Sequence, residues 1–237
     1  MLSLANFLDR IARKAGLLFG WIIIPLIFVI IFDVVTRKID FTRLYFSDFT
    51  VQYGYSISTI LQDLQWHFHA LLLMFSFGIG YLMNAHVRVD IFREMLPRRK
   101  QAWLEMFGLI ILGLPFLILM TKFSFDMTAL SWKQGEGSDS MTGIPMRYIP
   151  KSFMVFGFLV LLCAVLATIF RLWKYLTGNQ QDQDDAIAGL SIFSDQSTAL
   201  AEAQREAELL LERERLADEA AARGETPGSD QAPTQQQ

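Results

Sequence analysis

Four runs of apolar residues, each about as long as a bilayer is thick, lie between residues 16 and 176. A hydrocarbon core about 30 Å thick requires roughly 20 apolar residues in a helix. Helix is the expected form because lipid offers no partners to free backbone groups. The pattern predicts an all-α integral membrane protein with four transmembrane helices within residues 16–178. The predicted spans are residues 16–35, 64–83, 103–125 and 153–176.

Residues 1–15, ahead of the first run, show an amphipathic pattern. Apolar side chains share one helical face while the charged ones lie mostly elsewhere, which predicts a helix lying in the membrane interface. The positive charges resemble a signal peptide, but the run that follows is too long and no small-x-small cleavage site ends it, so we expect the first span to be retained. The apolar face consists of Leu4, Phe7, Leu8 and Ile11.

The tail, residues 179–237, differs from the membrane domain in charge. Up to residue 181 the chain carries 17 basic and 11 acidic side chains, whereas the remainder carries 4 basic and 13 acidic ones. Residues 199–223 are rich in the helix formers Ala, Glu, Leu and Arg, and residues 224–237 are polar and contain proline. The sequence therefore predicts an acidic, soluble, cytoplasmic tail that is helical over 199–223 and disordered thereafter.

Lys and Arg are unevenly distributed between the two sides of the predicted spans. About ten lie in the N-terminal segment, between spans two and three, and after span four, whereas six lie in the other two loops. Because positive residues favour the cytoplasmic side, both termini are predicted to be cytoplasmic. The first outer loop, residues 36–63, is rich in Phe and Tyr, which predicts contact with the outer membrane interface or with a partner.

Few polar or helix-breaking residues lie inside the predicted spans. Asp33 and Lys122 are the deepest charges, and both lie near enough to the outer end to reach the interface. We interpret them as interhelical or partner contacts rather than as parts of a transport pathway. We interpret Pro25 and Pro115 as positions of helix kinks. We interpret Gly78 and Gly80 as residues that allow close helix packing.

The three histidines leave one alternative open, a haem-binding or other membrane anchor of a respiratory enzyme. Haem held by two histidines needs ligands on facing helices, yet spans one, three and four contain none. His67 and His69 point to roughly opposite sides of a helix, and His86 lies about 30 Å further along. We interpret them as interface-seeking polar residues. The chain is predicted to have no cofactor, no metal site, no nucleic-acid-binding surface and no enzymatic activity.

Two stretches resemble a known family. One runs from residues 61–72 through span two to His-Val-Arg-Val-Asp at residues 86–90; the other combines residues 131–138 with Pro-x-Arg-aromatic-x-x-Lys-Ser at residues 145–152. Over residues 5–176 the chain resembles the small (Q) permease subunit of the tripartite ATP-independent periplasmic (TRAP) transporters. Tyr148 stands where that family commonly has Trp.

The resemblance implies a transporter subunit that braces a large permease subunit in the bacterial inner membrane and contacts its lipids. It implies symport driven by an ion gradient, with sodium coupling in the large subunit, and a periplasmic protein that delivers the solute, by analogy an organic acid. The candidate partner interface consists of Asp63, Gln65, Trp66, His67, Glu136, Ser138, Arg147, Lys151 and Ser152. His86, Arg88 and Asp90 form a candidate structural motif on the cytoplasmic side.

Overall fold

All regular structure in the described residues is helical. The computed structural model describes residues 2–85 and 96–190 and the single residue 209, and the chain divides into compact units of residues 1–192 and 193–237. The predicted tail elements, 199–223 and 224–237, lie outside the described residues apart from residue 209. The helices are α1 (Leu2–Gly20), α2 (Ile23–Lys38), α3 (Asp40–Tyr53), α4 (Ile57–Leu82), α5 (Arg98–Gly108), α6 (Leu114–Gln134), α7 (Tyr148–Thr177) and α8 (Gln180–Ala188).

Three helical segments of this described part are long and apolar enough to cross a bilayer: Leu2–Lys38, Arg98–Gln134 and Tyr148–Thr177. They contain predicted spans one, three and four. The second predicted span lies in α4, whose first half carries polar side chains that lower its mean hydropathy, including Asp63, His67 and His69. The all-helical class is thus confirmed, while the membrane-spanning role of α4 and the cytoplasmic placement of both termini stay predictions.

Both prolines inside the spans lie where the regular α-helix is interrupted, as the sequence predicts. Residues 21 and 22 form a turn between α1 and α2, just before Pro25. A π-helix, Leu109–Gly113, separates α5 from α6 just before Pro115. In each case proline lacks the N–H that would bond to the carbonyl four residues earlier, so the regular ladder cannot run through.

Helices α4 and α7 pack closely because glycines remove side chains from their contact. A Cβ built on Gly157 of α7 would lie 2.7 Å from Met74 Cβ and 2.8 Å from the Met74 carbonyl oxygen. A Cβ built on Gly78 of α4 would lie 2.7 Å from a methyl group of Val160, whereas one on Gly80 would meet nothing within 4 Å. Of the two glycines predicted to allow close packing, the contact therefore uses Gly78.

Helix α1 packs against the other helices with its small residues, and its large apolar residues stay exposed. Ala5, Ala12 and Gly16 are buried on the packing face, and Leu4, Phe7 and Ile11 are exposed. The predicted apolar face of α1 is therefore largely exposed. Its placement in the membrane interface stays a prediction. The helix also continues to Gly20, beyond the predicted boundary at residue 15.

A buried ion pair joins the N-terminal helix to the last span. Nη1 of Arg171 lies 3.0 Å from Oδ1 of Asp9, and the two side chains are 7% and 12% exposed. The same guanidinium donates to Asn6 Oδ1 at 3.0 Å and to the carbonyl oxygen of Gly189 at 2.9 Å. Arg171 therefore fixes three segments together: α1, α7 and the chain just after α8.

The segment predicted as the first outer loop contains a helix instead. Helix α3 follows α2 after Ile39 and has no buried residue. Its aromatic and aliphatic side chains are largely exposed, including Phe41 and Val51 at 78% and 85%. The expected contact of this segment with the outer membrane interface or with a partner stays a prediction. A helix forms here because the sequence lacks an internal Pro or Gly to stop it before Gly54.

Candidate functional site

The α6–α7 loop, residues 135–147, is closed at its base by a hydrogen bond between its two ends. Gly135 has φ of 60°, the left-handed conformation that glycine adopts at little cost. The Glu136 N–H donates to the Ser131 carbonyl at 3.1 Å, which completes a Schellman motif at the end of α6. The Arg147 N–H then donates to the Glu136 carbonyl at 2.9 Å. Two predicted site residues, Glu136 and Arg147, thus lie side by side.

Four charged side chains form a continuous series of ion pairs across this loop. Glu136 pairs with Lys151, and its Oε1 lies 3.8 Å from Nε of Arg147. Arg147 also pairs with Asp139, which sequence analysis did not single out. The Lys151 ammonium holds the pKa of Glu136 below its ordinary value, Arg147 lowers the pKa of Asp139, and Asp139 raises the pKa of Arg147. Both carboxylates therefore stay ionised at neutral pH.

These shifts predict that the loop keeps its shape over the whole neutral range. A carboxyl group whose pKa is lowered by folding stabilises the fold above its unfolded pKa, and this contribution is lost as pH falls through the folded value. The ordinary values are 4.5 for Glu136 and 3.8 for Asp139. We expect protection of the loop amides from hydrogen exchange, corrected for intrinsic rates, to be constant down to about pH 5 and to fall only in stronger acid. An opening transition near pH 7 would contradict this assignment.

The loop is also anchored to the beginning of α4. Oδ2 of Asp63 accepts a hydrogen bond from the Ile144 N–H at 2.8 Å, and the Ser56 N–H donates to the Thr142 carbonyl at 3.1 Å. Gly143 lies against this carboxylate so closely that a Cβ there would overlap it. Asp63 was predicted to lie on the same side as the loop, and the structure brings the two into direct contact.

A cleft of about 760 Å³ opens between α4, the loop and the first turns of α7. Its polar wall contains six of the predicted interface residues, and its floor is apolar, with Leu73, Met74 and Met154. The His67 Nδ1–H in this wall donates to the Asp63 carbonyl, and His69, read as pointing to the other side, also lines the cleft. The six predicted residues are Asp63, Trp66, His67, Ser138, Arg147 and Lys151.

The remaining predicted residues lie elsewhere. Glu136 stands behind the cleft as the partner of Lys151. Ser152 donates to the carbonyl of Ile149 at 2.6 Å within the first turn of α7. Gln65 faces α2 and belongs to a different cluster. The structural motif of His86, Arg88 and Asp90 lies outside the described residues.

That second cluster joins α2 to α4 around the buried carboxylate of Asp33. Arg37 Nε donates to its Oδ1 at 2.9 Å, and Gln65 Nε2 donates to its Oδ2 at 3.1 Å. Ser58 Oγ donates to Oδ1 at 3.4 Å. The predicted interhelical role of Asp33 is confirmed, and a polar contact across 32 residues of sequence fixes α2 against α4.

Long apolar helices and a polar cleft at one end of them define the class of this chain, an integral membrane protein. In the described residues, no group of three or more His, Cys, Asp or Glu side chains is placed to hold a metal ion. Residues 26–175 match the family model described as the tripartite ATP-independent periplasmic transporters, DctQ component. The chain therefore belongs to the DctQ family, the small permease component of TRAP transporters.

This family is a transporter component rather than an enzyme, and it functions with a large permease subunit and a periplasmic binding protein. The match covers helices α3 to α6 and most of α2 and α7, so it includes both polar clusters. Comparisons with curated proteins and with solved structures gave no match.

Proposed function

We propose that this chain braces the large permease subunit in the bacterial inner membrane and that its α6–α7 loop helps to dock the periplasmic solute-binding protein. The proposed topology has four spans with both termini in the cytoplasm, which puts the loop and the beginning of α4 on the periplasmic side. The family match supports the transporter role. The loop geometry supports the docking role.

In this proposal the solute does not pass through the small subunit. The polar cluster around Asp33 is closed by its own partners Arg37 and Gln65. Such a satisfied network fixes helices and leaves few free groups for a solute. Sodium coupling and the binding of a solute, by analogy an organic acid, then belong to the large subunit and to the periplasmic protein.

The observation that supports the docking role is a charged rim on the α6–α7 loop, formed by Asp139 and Arg147. Asp139 is 87% exposed although it pairs with Arg147, which is 36% exposed. Asp63 and the ion pairs of Glu136 fix the loop behind this rim. Charges at the rim of an interface act mainly on the rate of encounter and on register, as a subunit that repeatedly receives a carrier protein requires.

We expect Glu136→Ala and Arg147→Ala each to lower solute uptake several-fold in vesicles that hold both membrane subunits and receive the loaded binding protein. Each change breaks the ion pairs that hold the loop, so the rim no longer presents one shape. The charge-exchanged double variant Glu136→Lys with Lys151→Glu restores the pair and should recover part of the uptake. The measurement is the initial rate at limiting binding protein.

Arg43→Ala is the matched control. Arg43 is an exposed cation of α3 that pairs with Asp40 at 3.2 Å, and its removal leaves the loop untouched. Membrane content of every variant is measured by immunoblot. Normal uptake in both loop variants, or an equal loss in the control, would refute the docking role without touching the family assignment.

A further inference from the structure

The outward face of α6 carries charges that point away from the other helices. Its buried residues Leu117, Ser124 and Ser131 recur every seven positions and form the stripe that packs on α7. At about 100° per residue, Lys122 and Asp126 lie about 160–200° from that stripe. Both are exposed, and they form no ion pair with each other or with any other described residue.

These charges lie at the depth of the hydrocarbon core. Trp103 and Trp132 are 39% and 63% exposed and have the amphipathic rings that favour the headgroup layers. They are about 43 Å apart at about 1.5 Å per residue. A core about 30 Å thick centred between them reaches to about residue 128. Asp126 then lies just inside its edge, and Lys122 lies about one helical turn deeper.

Another outward face of the same fold shows what contact with lipid looks like in this chain. The exposed side chains of α2 between Pro25 and Asp33 are all apolar, as are those just beyond. No charge interrupts that face until Arg37. Since ionisable residues in a membrane usually face protein or water and pair there, the two faces have different neighbours. The exposed apolar residues are Ile27, Phe28, Ile30, Ile31 and Phe32, followed by Val34 and Val35.

We propose that the face of α6 bearing Lys122 and Asp126 is the surface that docks on the large permease subunit. The proposal rests on the bracing function and names the helix that performs it. The docked surface of the partner places a carboxylate or a carbonyl oxygen opposite Lys122 and a hydrogen-bond donor or cation opposite Asp126. The exposed apolar residues that flank the two charges, Ile118, Leu119, Phe123 and Phe125, pack around them.

Photo-crosslinking in the intact complex tests which face docks. A photoreactive amino acid replaces Leu119, which lies on the charged face, or Phe28, which lies on the apolar face of α2 and is 68% exposed. The expected result is a product with the large subunit from position 119 and none from position 28. A product of two copies of this chain from position 119, a product with the large subunit from position 28, or no product at 119 overturns the proposal.

A charge exchange tests the chemistry of the contact. Lys122→Asp combined with Asp126→Lys keeps the composition and net charge of the face, so membrane content should be unchanged. Copurification of the large subunit is expected to fall several-fold, because the partner's acceptor oxygen then faces a carboxylate and its donor or cation then faces an ammonium group. Unchanged copurification overturns the proposal. Copurification of the large subunit with the unaltered chain tests the bracing function separately. A failure of the bracing function is therefore distinguishable from a failure of the docking surface on α6.

Discussion

Replacing Asp9 with leucine is expected to destabilise the membrane domain by about 3–5 kcal/mol, the usual cost of leaving a buried charge without its partner. The guanidinium of Arg171 is 7% exposed and would keep only the neutral acceptors of Asn6 and Gly189. The measurement is the free energy of unfolding in mixed micelles titrated with denaturing detergent.

The reverse change, Arg171→Leu, is expected to cost less. Asp9 then still has Arg13, whose Nε lies 2.9 Å from its Oδ2 and whose side chain is 40% exposed. Removing both charges, with leucine at positions 9 and 171, should recover much of the loss because two apolar side chains replace the pair. Arg13→Leu is the control, with an expected effect of about 0.5 kcal/mol for an exposed pair one turn apart. Equal effects of Asp9→Leu and Arg13→Leu would contradict the central position of Arg171.

Replacing Gly157 with alanine is expected to cost about 1–3 kcal/mol, although alanine favours a helix more than glycine does. The new methyl group would lie 2.8 Å from the carbonyl oxygen of Met74. That atom is backbone and cannot move aside by a rotamer change, so α4 and α7 must separate. The apparent melting temperature of the purified protein in mild detergent should fall accordingly.

Gly80→Ala provides the matched control, because a Cβ there meets nothing within 4 Å. It changes the same residue type in a helix of the same contact and is expected to be neutral or to stabilise by about 0.5–1 kcal/mol. A loss of stability for Gly80→Ala as large as that for Gly157→Ala would show that glycine matters for backbone flexibility rather than for close packing.

Three of the four spans could be predicted because apolar run length is a direct demand of the bilayer. Helix α3 could not be predicted in this way, because in residues 36–63 no periodic apolar face distinguishes a surface helix from an aromatic loop. The breaks before Pro25 and Pro115 follow from a missing N–H and were predictable. The choice between Gly78 and Gly80 was not, because it depends on which side of α4 meets α7.

Part of the candidate site was predictable for similar reasons. Glu136, Arg147 and Lys151 lie close together in the sequence, and charged loop residues of opposite sign readily pair. The contact between Asp63 and the Ile144 N–H joins residues 81 positions apart, and a backbone donor leaves no trace in the sequence. Gln65 lies on the same helix as Asp63, two residues further on. The two side chains therefore point to opposite sides of α4, and Gln65 joins the cluster around Asp33.

The π-helix at Leu109–Gly113 links the length of the third span to the direction in which its outer half points. A π turn accommodates one more residue than an α turn does, and one residue corresponds to about 100° of rotation. A chain shortened by one residue here would replace the π turn with an α turn of much the same apolar composition, and it would turn Lys122 and Asp126 by roughly a quarter of a circle. The number of residues in this span thus determines the direction in which the side chains of its outer half point. Deleting a single codon would change that direction and leave the hydrophobicity of the span nearly the same.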